Sequence, residues 1–107
     1  MADALKVLGQ LAVPATTLSA VYTAPSQATV SSISFCNTSG STITFRLSIA
    51  PGNAGDTLSQ YIYYDLQIGA KDTFIATVGC TLASSDVIRA YADLTGLSIS
   101  VFGVEVS

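Results

Sequence analysis

Histidine and tryptophan are absent from this 107-residue chain, and charge is scarce, with four Lys and Arg against seven Asp and Glu for a net −3. Without histidine there is no side chain whose ordinary pKa lies near neutrality and no imidazole to bind a metal. Ser and Thr are abundant, but none has a histidine to activate it as a nucleophile. The four cations, Lys6, Arg46, Lys71 and Arg89, are scattered along the chain. Nucleic acids and anionic membrane surfaces both reward clustered cations, so neither is an expected partner. No apolar run approaches the roughly 18–20 residues of a membrane-spanning helix. The opening MADALKVLGQLAV sets Asp3 before its lysine and is interrupted by Gly9 and Gln10, which is not the pattern of a leader peptide. Only two cysteines occur, Cys36 and Cys80. They read as buried, reduced thiols that act as small hydrophobes, with a strand-to-strand disulfide as the alternative. No metal or cofactor is expected.

What is present is alternation. Half the residues are hydrophobic and the mean hydropathy is +0.55. From Thr17 onward apolar residues alternate with Ser and Thr, and turn signals recur about every ten residues, the spacing of an antiparallel sandwich. In Ser41–Ala50 (STITFRLSIA), Ile43, Phe45, Leu47 and Ile49 share one face and Thr44, Arg46 and Ser48 the other. Thr29–Asn37 precedes it, and the NTSGS between them predicts a hairpin, with Asn and Gly supplying positive φ. Gln60–Ile68 follows the long loop APGNAGDT. Its period of two puts Ile62, Tyr64, Leu66 and Ile68 on one face and Tyr61, Tyr63 and Asp65 on the other. Thr73–Val78, Asp86–Tyr91 and Leu97–Val106 follow, and Thr17–Thr23 (TLSAVYT), closed by Pro25, completes the reading. In Leu97–Val106, the apolar phase changes from Leu97, Ile99 and Val101 to Phe102, Val104 and Val106, predicting a β-bulge beside Gly103.

The expected fold is all-β, a single antiparallel β-sandwich of jelly-roll or Greek-key type with about seven or eight strands. Residues 1–14 read as an N-terminal arm and 15–107 as the sandwich domain. The sandwich is therefore expected to survive removal of residues 1–13. The predicted core is Ile33, Phe35, Ile43, Phe45, Leu47, Ile49, Ile62, Leu66, Phe74, Val87, Ile99 and Val101.

Chemistry is hard to place on these residues. Asp56, Asp72 and Asp86 lie in turn contexts, where a carboxylate caps backbone N–H groups. Asp65 lies mid-strand and is expected to pair with Arg46 or Arg89. Tyr61, Tyr63 and Tyr64 form the one aromatic cluster, suited to core packing, to an interface, or to stacking on a sugar. Both ends of the chain are apolar: Leu5, Val7, Leu8 and Leu11 at one, Phe102, Val104 and Val106 at the other. With Tyr61 and Tyr63, they are the candidate interface residues, since a monomer of this size cannot hide so much apolar surface. No catalytic residue is assigned.

Six segments cover nearly the whole chain with a familiar order: VLGQ (Val7–Gln10), ATTLSAVYTAP (Ala15–Pro25), VSSISFCNTSGSTITFRLSIAPGNA (Val30–Ala54), YIYYDLQIGAKDTF (Tyr61–Phe74), TLASSDVIRAYAD (Thr81–Asp93) and LSISVFGVEV (Leu97–Val106). In this order the chain resembles a group of short β-sandwich virion accessory proteins of tailed bacteriophages and prophages. The resemblance implies a non-enzymatic structural protein of the virion, assembled in the host cytoplasm. A capsid decoration (cement) protein is the leading expectation. A small tail, neck or fibre component, or a carbohydrate-binding module on a host-recognition fibre, is the alternative. The implied partners are copies of itself, as a homotrimer before a dimer, and the major capsid protein or other virion proteins.

Overall fold

The computed structural model describes residues 3–77 and 79–106, with side chains from Lys6 onward. Among these residues the chain is β-strand with two single-turn 3-10 helices, Pro51–Asn53 and Leu58–Gln60. The strands are β1 (Asp3–Ala12), β2 (Ser19–Thr23), β3 (Gln27–Asn37), β4 (Ile43–Ala50), β5 (Tyr61–Ile68), β6 (Thr73–Ala76), β7 (Cys80–Leu82), β8 (Val87–Ala92) and β9 (Leu97–Val106).

Two antiparallel sheets face each other. The first runs β1-β9-β3-β6, with β7 also on β3, and the second runs β2-β8-β4-β5. Both β6 and β7 pair with β3, so they act as one interrupted strand. The chain then pairs first strand with last, second with seventh, third with sixth and fourth with fifth. That nested order is a jelly roll, within the expected all-β sandwich class.

The topology corrects the expected arm. Residues 3–12 are the outermost strand of the first sheet, in register with β9 from Asp3↔Val106 to Ala12↔Ser98. The alternation is hard to see because Leu8 is an extra residue in a bulge between Val7 and Gly9. Gly9 is needed there, since a Cβ would lie 2.5 Å from the Val21 carbonyl oxygen. This close approach of β1 to β2 brings the two sheets together along one side.

The expected β3–β4 hairpin is also corrected. β3 belongs to the first sheet and β4 to the second, so residues 37–42 form a corner between layers. Neither Asn37 nor Gly40 has a positive φ. Asn37 instead works through its buried side chain. Its Nδ2 donates to the carbonyls of Ser41, Ile68 and Gly69, and its Oδ1 accepts from the Ser39 N–H and hydroxyl. One fully used amide thus ties the β3–β4 corner to the β5–β6 corner.

In β9 the predicted bulge lies on its neighbours instead. β9 alternates without a break, while Leu8 of β1, at the level of Val101 and Phe102, and Ser31 of β3, at the level of Phe102 and Gly103, are the extra residues. Gly103 faces the core under this crowding, and a Cβ on it would meet the Thr29 carbonyl oxygen at 2.1 Å. Phe102, Val104 and Val106 consequently lie on the outer face because the alternation simply continues.

The core joins the sheets through Phe35 and Phe45, whose ring centroids are 4.7 Å apart. Ile33, Ile43, Leu47, Val87, Ile99 and Val101 are buried as expected, and Ile49 and Phe74 pack against the core half-buried. Ile62 and Leu66 do not belong to it; each is 38% exposed. Both lie on β5, an outer strand with two irregularities. β4 pairs Phe45↔Leu66, then Leu47↔Tyr63, then Ser48↔Tyr61, so β5 carries extra residues opposite Arg46 and again at Ile62. A single period of two cannot run through such a strand.

Candidate functional site

The two bulges of β5 build the most elaborate side-chain cluster. They turn Tyr63 inward, edge-on to Phe45 and Phe74, and leave Tyr61 and Tyr64 edge-on to each other at 5.1 Å. Tyr64 stands on the outer face of the second sheet. Arg46, outward on β4, lies 4.2 Å from the Tyr64 ring centroid and 4.8 Å from that of Tyr91 on β8. Its Nε donates to Asp65 Oδ1 at 2.6 Å. Asp65 reaches it from a left-handed backbone, φ 57°, a conformation that aspartate tolerates better than most residues. The bond to Asp65 raises the Arg46 pKa further above its usual value. Arg89 takes a different partner, donating to Asn53 Oδ1 at 2.8 Å.

Beside this cluster the loop between β4 and β5 forms an open cleft of about 740 Å³, lined by Ile49, Pro51, Asp56, Gln60, Tyr61 and Ile62 among others. Tyr61 donates its hydroxyl to Asp56 Oδ2 at 3.1 Å. Burial, and then that bond, push the Tyr61 phenol up from its ordinary pKa. Gln60 donates through Nε2 to the Gly55 carbonyl, while its Oε1 is buried without a partner. The cleft offers hydroxyl, amide and carboxylate groups above an apolar floor.

The outer face of the first sheet is different. From β1 it carries Val7 and Gln10, opposite Phe102 and Ser100 of β9. From β3 come Ser32, Ser34 and Cys36, opposite Phe102, Ser100 and Ser98. From β6 comes Ile75, opposite Ser34. Ile75 is 62% exposed, Val7 46% and Phe102 36%. No charged side chain among the described residues lies on this face.

Elsewhere the charges are engaged in holding the fold. Asp86 accepts from the N–H groups of Gly52 and Ala83, Asp93 from Thr44 and Asp72 from Thr73. Lys71 donates to the Thr38 carbonyl. Glu105, on the core side of β9, accepts from the Tyr22 hydroxyl at 2.7 Å and pairs with Lys6 at 2.8 Å. Lys6, then Tyr22, hold the Glu105 carboxyl below the usual glutamate range. Burial, reinforced by Glu105, pushes the Tyr22 phenol well above its ordinary value.

The candidate interface residues are therefore separated. Val7 and Phe102 meet as register partners on the first outer face, with Val104 two residues further along β9. Val106 is half-buried at the end of β9. Leu8 is buried in the core and Leu11 packs against it, which removes both from an exposed surface. The Leu5 side chain lies outside the described residues. Tyr61 borders the cleft, whereas Tyr63 belongs to the core edge. Of the two aromatic partners of Arg46, Tyr64 is singled out from sequence as part of the aromatic cluster and Tyr91 is not; its signal is an arginine and a tyrosine on the polar faces of two alternating strands. Cys36 and Cys80 are both free thiols, but neither is buried as expected; each is half-buried. Cys36 is on the outer face, while Cys80 pairs with Val30 and packs against the core. The two positions are six residues apart along β3, about 20 Å, far beyond the reach of a disulfide. Burial raises the Cys80 thiol pKa. No protein-family model matches the chain, and no curated protein matches it.

Proposed function

We propose that this chain is a non-catalytic structural protein of a tailed-phage virion, a decoration protein that binds the assembled shell and stabilises it. The observation that carries this reading is the division of labour among side chains. Every described charged side chain is engaged within the chain, while large apolar side chains stay exposed: Val7, Ile75 and Phe102 on the outer face of the first sheet, Tyr64 on that of the second, and Ile62 and Leu66 along the β5 edge. Such a surface is suited to adhesion and offers no unengaged acid–base pair. The jelly roll supports the reading by analogy, since it recurs in viral capsid domains, although fold alone does not assign function. The segment order that resembles phage virion accessory proteins supplies the rest. The protein works as a small homo-oligomer against the major capsid protein. Ligation to the assembled state stabilises it by mass action. The test is co-sedimentation with shells of the parent particle lacking this protein. Saturable binding with a raised shell-disruption temperature is the expected result. Binding to isolated tails alone would move the protein to the tail or neck, and binding to neither would overturn the reading.

The cleft beside Tyr61 favours a second reading, a carbohydrate-binding module on a host-recognition fibre. Lectin domains also use the jelly roll, and Asp56, Gln60 and Tyr61 supply the hydroxyl-directed groups a neutral sugar needs. Tyr63, half-buried against Phe35 and Phe45, takes no part in it. A glycan array on the purified chain, repeated with Tyr61→Ala, is the discriminating measurement.

A further inference from the structure

We propose that the outer face of the β1-β9-β3-β6 sheet is a self-pairing surface, and that its occupant is the same face of a second copy of this chain, related by a two-fold axis. The first argument is electrostatic. The molecule carries net charge −3, so two copies repel wherever their acids meet. The opposite sheet turns Arg46, Asp65 and Arg89 outward, and burying those against a copy would desolvate ions already satisfied at home. The first sheet presents no described charge, and Asp3, opposite Val106 at the far corner, lies among the residues whose side chains are not described. An isologous contact sets each residue of a face against that same face, so a face whose described side chains carry no charge is the one a copy can approach without bringing like charges among them together.

The second argument is shape. Val7 and Phe102 are register partners and make an apolar ridge across β1 and β9. Ile75 makes a second ridge on β6, opposite Ser34. Between them Ser32, Ser34 and Ser100 form a floor of short side chains. A two-fold rotation sets the ridge of one copy over the floor of the other, the interdigitation by which sheets pack face to face.

The third argument is size. β9 has ten residues, about 33 Å of strand, and four strands at about 4.8 Å span about 19 Å. The face is therefore about 600 Å² per copy, or about 1,200 Å² for the pair, at the lower end of specific interfaces. The expected contact is weak, populated at high local concentration such as on a particle surface. The proposal requires self-association alone, so it stands or falls apart from the virion reading.

Sedimentation of the full chain up to about 1 mM, without particles, tests it, since weak contacts of this size are populated in that range. A monomer–dimer equilibrium is expected. Ile75→Asp introduces a charge at a site that is 62% exposed and should weaken dimerisation at least tenfold with the melting temperature unchanged. Ser100→Asp, at the floor, is a second variant with the same expectation. Gln67→Asp, on the second sheet opposite Thr44, should leave the dimer intact. The cysteines give an independent readout. Cys36 lies on the proposed face, so its reaction with a thiol reagent should slow as the dimer forms, while Cys80, packed against the core, should not respond. A chain that stays monomeric to about 1 mM, forms trimers, or dimerises equally well with Ile75→Asp and Ser100→Asp overturns the proposal.

Discussion

The two outer faces of this sandwich are built on opposite plans. On the second sheet, Arg46 is held by Tyr64, Tyr91 and Asp65, Arg89 by Asn53, and Tyr61 by Asp56. Side chains there satisfy one another. On the first sheet the outward side chains are mostly hydroxyls and aliphatics, with Phe102, Gln10 and Cys36 among them, and mutual contacts are few beyond Gln10 Nε2 donating to Ser100 at 3.3 Å. That sheet is ordered from beneath, by its main-chain ladder and by close approaches at Gly9 and Gly103. A face ordered from beneath leaves its side chains free for a partner, and a face ordered by its own side chains does not.

The largest test of this contrast is removal of β1. If the first sheet rests on its ladder, deleting residues 3–12 strips β9 of one of its two partners along almost its whole length and takes Leu8 out of the core. It also removes the β1–β2 approach at Gly9. The deleted chain should lose cooperative thermal unfolding by circular dichroism. A sharp transition close to that of the full chain would restore residues 3–12 to the role of an arm.

Gly103→Ala probes the same sheet at one atom. The new methyl would meet the Thr29 carbonyl oxygen and Val30 Cα, both main chain, and neither can rotate away. Overpacking of this kind costs about 1–3 kcal/mol, and a backbone obstacle places it at the upper end. Chemical denaturation should show a lowered midpoint with unchanged slope. A stability within about 0.5 kcal/mol of the parent, as at an ordinary surface site, would remove the close-approach argument.

The link between the sheets gives a pH-dependent test. Glu105 is held below its usual pKa by Lys6 and Tyr22, so the folded state prefers its ionised form. This stabilisation is fully present above the unfolded value, about 4.3, and is lost as pH falls through the lower folded value. Glu105→Gln lacks it at every pH. The melting temperatures of parent and variant should therefore differ at pH 7 and converge on acidification. A gap that stays constant down to about pH 3, below the ordinary glutamate range, would show that Glu105 acts by packing alone.

How far the sequence exposed these features depends on where the strand period is unbroken. β4 alternates strictly, so Ile43, Phe45 and Leu47 are legible as core, and Arg46 as outward. In β9 the apolar residues after Val101 read as a phase change, but the compensating extra residues sit at Leu8 and Ser31 on other strands, where a single-strand pattern cannot reveal them. Residues 3–12 read as an arm because the bulge at Leu8 and Gly9 interrupt the alternation. Pairing with β9, the last strand, is a long-range fact with no local signature. Asn37 was legible as a turn residue but not as a buried clamp, since its partners Ile68 and Gly69 are distant in sequence. The Arg46–Asp65 pair was within reach from charge alone. The contact of Arg46 with Tyr64 is not, because two bulges decide which of Tyr63 and Tyr64 faces out, and its contact with Tyr91 rests on a pairing of β4 with β8 that has no local signature.

The smallest test concerns what fixes the second face, its side chains or its backbone. Asp65 contributes in two separable ways, through the bond to Arg46 and through a left-handed φ of 57°. Asparagine keeps the tolerance for that backbone and removes the charge, whereas alanine loses both. An exposed ion pair is worth about 0.2–1 kcal/mol, and a left-handed conformation costs a residue with an ordinary Cβ about 1–2 kcal/mol. Asp65→Asn should therefore lower stability by less than about 1 kcal/mol, and Asp65→Ala by about 1 kcal/mol more. Raising the salt should shrink the Asn penalty through screening and leave the difference between the two variants untouched. If instead the two substitutions destabilise equally, the bulge imposes no strain of its own. The salt bridge alone would then hold Arg46 between its tyrosines, and the second face would be ordered wholly by its side chains.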